Sequence, residues 1–114
     1  MINIGTDIIE ISRFKNKPID QNRTFYNSIF SVDEITYCQK FKHPYSHFAG
    51  IFAAKEAIIK CMGKPFSMSQ IQLYWDKDGR PHVEIAQEKN QINVTISHTQ
   101  TIAIAIAVGI LKSS

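Results

Sequence analysis

Two carboxylates and a lysine are placed where a hard cation and a phosphate could meet. Asp7 lies near the end of an alternating apolar run, MINIGTDIIE, and Glu56 and Lys60 lie in FAAKEAIIK. Glu56 follows Phe52 by four residues, so on a helix it sits above Phe52 at the margin of an apolar stripe. Burying a carboxylate there without a partner is costly, so it calls for a cation. Mg²⁺ is typically held by one or two carboxylates together with substrate phosphates, and two carboxylates from different elements match that demand. The plainer reading pairs Glu56 with Lys60 four residues on, an exposed helix pair worth about 0.3–0.5 kcal/mol. Lys60 could also clamp a phosphate as a point charge. Lys55 falls in the middle of the stripe. Snorkelling is its default explanation, and reaching a ligand at a subunit boundary is the sharper one.

Other candidates are weaker. His98 keeps the parity of Ile92, Val94 and Ile96, at the rim of an apolar face. A catalytic or phosphate-contacting role there competes with simple hydrogen-bonded capping. Ser97 has no GxSxG context that would make it a nucleophile. His43 and His47 read as solvated residues at a helix start. Gly63-Lys64 could receive phosphate, but the P-loop spacing is absent and the pair alone is a helix stop.

The elements that must position these groups follow from periodicity. Ile2 to Ile9 reads as a strand, with Ile2, Ile4, Thr6 and Ile8 on one face and Asn3, Gly5 and Asp7 on the other. Gly5 allows backbone or ligand to approach beside Asp7. Glu10 to about Lys42 reads as helical, with Ser31-Val32-Asp33-Glu34 as a capping box opening a helix to about Phe41. Pro44 starts a long helix that ends at Gly63. Its stripe is Phe48, Ile51, Phe52, Ile58, Ile59 and Met62, and Ala49, Ala53, Ala54 and Ala57 make the rest thin. Strands follow at Ile71–Trp75, at Pro81–Ile85 after an Asp76–Gly79 turn, through Ile92, Val94 and Ile96, and at Ile102–Ile110. The last alternates branched residues with Ala or Gly, leaving a bald face suited to the alanine side of the long helix. The fold class expected is α+β, a mainly antiparallel sheet with a long central helix and shorter helices packed on one side.

With 114 residues, the chain is the size of one domain, 1–114, with little surface to spare for a deep pocket of its own. A site shared between subunits is therefore expected. The net charge of +3 suits an acidic protein partner or a phosphate-rich ligand, and its scattered cations argue against nucleic acid. Cys38 and Cys61 form neither a zinc motif nor a disulfide framework, and reduced thiols in a cytoplasmic protein are expected. The N-terminus has no basic leader, and the longest apolar run, Ile102 to Leu111, is too short to span a bilayer.

Taken together, these residues resemble the phosphopantetheinyl transferase superfamily, and its small holo-acyl-carrier-protein synthase branch in particular. Ile4-Gly5-Thr6-Asp7 resembles the first family motif, and Phe52 to Lys60 resembles the longer and more specific second. The stretch Asp7 to Ile11 with Arg13, then Asp78-Gly79-Arg80-Pro81, and Ile96-Ser97-His98-Thr99 resemble further stretches in the same order. The resemblance implies transfer of 4′-phosphopantetheine from coenzyme A to a serine of apo-acyl carrier protein, with release of 3′,5′-ADP. It implies that Asp7 and Glu56 bind Mg²⁺ and that Lys60 holds the pyrophosphate. It places His98 and Pro81 along the nucleotide part of coenzyme A, near Gly63 and Lys64. It puts Arg13 on the surface that meets the acidic carrier, and it implies a homotrimer with sites between subunits. The proton acceptor, Glu56 or a water on the metal, is left open.

The chain departs from the family in three places. Ile51 stands where an Arg usually precedes the Phe of the second motif. A usually Gly-Thr-Gly-like loop reads Lys64-Pro65-Phe66-Ser67 after Gly63, and Gln87 to Gln91 is shorter than usual. These changes touch coenzyme A phosphate contacts, where Lys64 would replace lost positive charge, and they leave Asp7, Glu56 and Lys60 intact. The rival expectations are a non-catalytic trimer that binds carrier protein or nucleotide, and another Mg²⁺-dependent enzyme acting on a nucleotide pyrophosphate.

Overall fold

The computed structural model describes residues 1–86 and 91–110. The short region Gln87 to Gln91 singled out above thus falls outside the described residues except for Gln91. Strand β1 is Ile2–Glu10, β2 Ile71–Trp75, β3 Pro81–Ile85, β4 Gln91–His98 and β5 Ile102–Ile110. Helix α1 is Ser12–Lys15, α2 Arg23–Ile29, α3 Val32–Gln39 and α4 Pro44–Met62. Two sheets form, ordered β1-β5-β4 and β2-β3, and every pairing is antiparallel. The α+β class is as expected. Among the described residues no helix is long and apolar enough to cross a membrane.

The segment expected to be helical from Glu10 to about Lys42 is broken into pieces. Glu10 ends β1, and Pro18 is extended (φ −57°, ψ 143°). A short 3₁₀ turn at Ile19–Gln21 and a non-helical Asn22 then intervene before α2. The pieces close around an aromatic cluster: buried Tyr26 and Phe30 pack on Phe48 of α4, and buried Phe14 packs on Tyr26 and Phe30. Packing rings from several short elements fills this corner better than one long helix could. The capping box is present, with Ser31 Oγ accepting from Glu34 N at 3.1 Å and Glu34 Oε1 accepting from Ser31 N at 2.9 Å.

Helix α4 begins with Pro44 in its first turn and stops at Gly63, which adopts the left-handed conformation (φ 72°). Its alanine side lies on the bald face of the β1-β5-β4 sheet. Ala49, Ala53, Ala54 and Ala57 are buried there, as are Ala103, Ala105 and Ala107 of β5. Contact is closest at Gly5, where a Cβ would stand 1.9 Å from the Ala57 carbonyl oxygen and 2.7 Å from Cys61 N. The alternation of β1 therefore points the opposite way from ordinary core logic. Asn3, Gly5, Asp7 and Ile9 face the helix, and Ile2, Ile4 and Ile8 face outward with Ile104, Ile106, Val108 and Ile110. The small residues face inward because only they let backbone approach backbone.

Gly5→Ala should be destabilising by roughly 1–3 kcal/mol or more, the usual range for overpacking, because the obstructing atoms are backbone. Urea unfolding would measure it; a midpoint equal to that of the unaltered chain would show that β1 does not sit this close to α4.

Candidate functional site

The β1–α4 contact that requires Gly5 also sets the carboxylates. Asp7 is two residues beyond Gly5 on the same face of β1, turned toward α4 as the alternation implied. Lys60 reaches across and donates to the Thr6 carbonyl at 2.9 Å, with Asp7 Oδ1 at 3.4 Å. Glu56 is one turn earlier on α4, about 6 Å along the axis from Lys60 and on the same flank. It is half-buried, and among the described residues its carboxylate has no hydrogen-bond or ion-pair partner. Lys60 thus goes to β1 instead of pairing with Glu56. Asp7, Glu56 and Lys60 share one edge.

Lys55 has neither of the roles expected of it. It points away from that edge into the α2–α3 side and is fully buried. Its ammonium donates to Glu34 Oε1 at 2.8 Å, to the Ile29 carbonyl at 2.7 Å and to the Met68 carbonyl at 3.2 Å, so all three N–H groups are used. Glu34 Oε2 accepts from Leu73 N at 2.8 Å. Burial pulls the Lys55 ammonium below the usual lysine range, and Glu34 pulls it back up. The pair joins α3, α4, the end of α2 and β2. Sequence spacing cannot find such a pair, since the partners lie 21 residues apart and Glu34 is already explained by its cap.

Three further candidates are accounted for locally. Arg13 of α1 is exposed and lies 5.6 Å from the centroid of Phe52, one turn before Glu56, which brings the basic edge of α1 to the carboxylate flank. Gly63 closes α4, its N–H donating to the Ile59 carbonyl at 3.1 Å. Lys64 lies 5.5 Å from the ring centroid of Phe66.

A cleft of about 210 Å³ gathers a second set. It is lined by His98, Pro81 and Ile51, all singled out from the sequence, and by Tyr37, Trp75 and His47, which were not foreseen in this setting. Tyr37 and Trp75 stack at 3.7 Å, nearly parallel. His47 is half-buried, unlike the exposed His43, and stacks on Phe41 at 3.6 Å. Chain separation hides this group too: residues 37, 47, 75 and 98 come from four elements.

The cleft and the carboxylates leave α4 on different sides. At about 100° per residue, Glu56 is roughly 140° around the helix from Ile51 and roughly 180° from His47. One copy of the chain does not present both to a single small ligand.

The carboxylate edge fits a hard divalent ion. Asp7 and Glu56 offer oxygen donors only, and the Glu56 carboxylate is left without a protein partner. No group of three or more His, Cys, Asp or Glu that could hold a metal ion occurs among the described residues.

Known proteins resemble the chain along nearly its whole length. The family model of the 4′-phosphopantetheinyl transferase superfamily matches residues 3–107. A holo-[acyl-carrier-protein] synthase of Clostridium tetani (strain Massachusetts / E88) is 39% identical over 120 residues, covering 95% of this chain and 94% of that one. Two crystal structures share the fold. The holo-(acyl-carrier-protein) synthase of Bacillus anthracis in complex with CoA (3′,5′-ADP) superposes with a TM-score of 0.82 at 29% identity and 94% coverage of each chain. The Helicobacter pylori enzyme in complex with coenzyme A gives 0.82 at 28% identity, covering 93% of this chain and 98% of that one.

The two lysines should behave oppositely on substitution. Lys55→Ala strands a buried Glu34 and should cost about 3–5 kcal/mol of stability. Lys60→Ala removes a contact whose lysine is 55% exposed and should cost no more than about 1 kcal/mol. Paired chemical denaturation curves test this, and equal losses would contradict the burial difference.

Proposed function

The chain belongs to the 4′-phosphopantetheinyl transferase superfamily and is a phosphopantetheinyl transferase of the holo-acyl-carrier-protein synthase type, and on that premise we propose that it moves 4′-phosphopantetheine from coenzyme A to a serine of apo-acyl carrier protein in a Mg²⁺-dependent reaction. The observation that carries the residue assignment is Lys60 bridging to Thr6 and Asp7 beside an unpartnered Glu56.

In this reading the carrier serine oxygen bonds to the β-phosphorus of coenzyme A. The bond from that phosphorus to the oxygen bridging to the α-phosphate breaks, and 3′,5′-ADP departs. Asp7 and Glu56 would hold the ion, which would supply neutralisation of phosphate oxygen charge. Lys60, a mobile point charge anchored on the Thr6 carbonyl, turns to the pyrophosphate and offsets charge on the leaving oxygen. Glu56 lies where it could also accept the serine proton. Arg13, beside Phe52, gives the acidic carrier a cationic landing point next to the reacting groups. His98 and Pro81 line the nucleotide end, and Gly63 and Lys64 border the phosphates.

A homotrimer with sites between subunits completes the proposal. Two facts support it: the cleft and the carboxylates diverge around α4, and the outer face of β1 and β5 is apolar. Seven side chains there, Ile2, Ile4, Ile8, Ile104, Ile106, Val108 and Ile110, are 37% to 68% exposed. Adjacent strands bearing such a face rarely stand bare in solution.

Incubating candidate apo-carriers with coenzyme A and Mg²⁺ and weighing them intact should reveal addition of one phosphopantetheine group. Excess chelator should abolish the gain. Glu56→Gln should reduce the rate roughly 10³-fold, the several kcal/mol that a bound ion supplies, while leaving the unfolding midpoint nearly unchanged. Substantial residual transfer by that variant would remove Glu56 from the metal site.

Ile106→Asp places a charge in the middle of the apolar face. It should yield monomers in light scattering and slow transfer by at least roughly 100-fold, since separated copies lose the alignment that positions both substrates. An intact trimer carrying Asp at this position would move the subunit boundary elsewhere.

A further inference from the structure

We propose that His47 is a substrate-binding residue, acting with His98 to hold the phosphomonoester on the nucleotide half of coenzyme A, so that affinity for that half falls as the pH rises. This rests on the reading of coenzyme A as substrate. It adds a residue with no assigned role and a pH-dependence to that site.

Four observations converge. The cleft has an aromatic wall, Tyr37 stacked on Trp75, of the kind on which a nucleobase can lie. Its described lining contains no Lys, Arg, Asp or Glu, and Ile51 contributes only an aliphatic surface. His47 and His98 are therefore the only lining groups able to carry positive charge. Their rings meet edge to face, 5.9 Å apart between centroids and inclined at 66°, close enough for one phosphate at their shared rim to touch both.

His47 is held rigidly for this task. Phe41 stacks on one face of its ring, and the Tyr37 ring meets it edge-on at 6.2 Å. His98 Nδ1 lies 3.1 Å from the Thr99 carbonyl, which favours a proton on Nδ1 and leaves Nε2 as the other contact.

The titratable groups facing His47 are Tyr37 from α3 and His98 from β4, while Trp75 from β2 and Phe41 beyond α3 are neutral. Burial pushes the Tyr37 hydroxyl up, so it stays uncharged. Burial first, and then the neighbouring His98, hold the His47 imidazole below its ordinary value. In the empty cleft His47 is thus mostly neutral at pH 7. A phosphate at the rim of the two rings reverses the sign of its surroundings and favours the protonated form. Ligand binding then takes up a proton and weakens as the pH rises above the lowered value of free His47. Below about pH 6 the phosphomonoester itself gains a proton and the advantage stops growing.

The test compares 3′,5′-ADP with 5′-AMP, which differ by the 3′-phosphate alone, using calorimetry at about pH 6 and about pH 8. The preference for 3′,5′-ADP should be about tenfold greater at the lower pH, as expected for one charge-assisted contact. His47→Gln should flatten that difference, and so should the variant of exposed His98, His98→Gln, which removes no buried group. His43→Gln, at an exposed position outside the cleft, should keep it. A preference independent of pH in the unaltered protein, or one that survives His47→Gln, would overturn the proposal. The calorimetry requires no carrier. Failure to modify any apo-carrier would defeat the proposed function and leave this readout standing, while a flat preference in an active transferase would defeat only the role of His47.

Discussion

Everything at the candidate site depends on how closely β1 approaches α4. At Gly5 there is no room for a methyl group between strand and helix backbone. A helix normally packs on a sheet through interlocking side chains, whose length separates the two layers. Here the layers are thinned by Gly5, Ala105 and Ala107 on the sheet and by Ala57 on the helix. That nearness is what lets Lys60 span from a helix to a strand carbonyl, and it sets Asp7 level with the Glu56 turn. The chemistry of two carboxylates and a lysine is thus a consequence of four small residues that have no chemistry themselves.

Closeness fixes the separation of the two elements, and a second constraint fixes the rotation of α4. The Lys55–Glu34 pair supplies it. Dispersion and burial tolerate small rolls of a helix about its axis, because apolar contacts are not directional. An ammonium with three acceptors at 2.7 to 3.2 Å is far less tolerant. Glu34 spends one oxygen on the α3 cap and Lys55 and the other on Leu73 of β2, so three elements converge on one carboxylate. Lys55 and Glu56 are adjacent in sequence and point to opposite fates, one locked inside and the other left open at the edge. Locking the first aims the second.

The sequence revealed much of this frame and concealed some of what matters most. Period-two alternation in β1 and β5 and the Pro44-to-Gly63 limits of α4 were readable because each is a local pattern enforced by local geometry. The side of the sheet on which α4 lies was legible in the alanine face of β5, but that the isoleucine face would stay exposed was harder to read. Branched residues usually mark the buried face, and in this chain they mark the exposed one, because thin packing against α4 outweighs burial of isoleucine within a single copy. The helical reading before Lys42 held as α1, α2 and α3, with breaks at Pro18 and Asn22 that let a ring cluster gather from α1, α2 and α4. Lys55 and His47 were misjudged because their partners are distant in the chain. Nothing in residues 45 to 49 announces that His98 will be beside His47, or that Phe41 will cover it.

The position of α4 explains why so short a chain can hold a two-part substrate. One face of the helix is given to the sheet, one to Glu34 and the aromatic cluster, one to the carboxylate edge, and its first two turns to the cleft. No face remains for a deep pocket within one copy. A ligand with a reactive pyrophosphate at one end and a nucleotide at the other therefore has to be gripped by different faces, which diverge by well over a right angle. Two copies meeting across β1 and β5 can bring the carboxylate edge of one toward the cleft of the next. In that arrangement the outward isoleucines are no packing oversight. They would be the core that the single chain lacks, and the same proposed contact that would bury them would assemble the site.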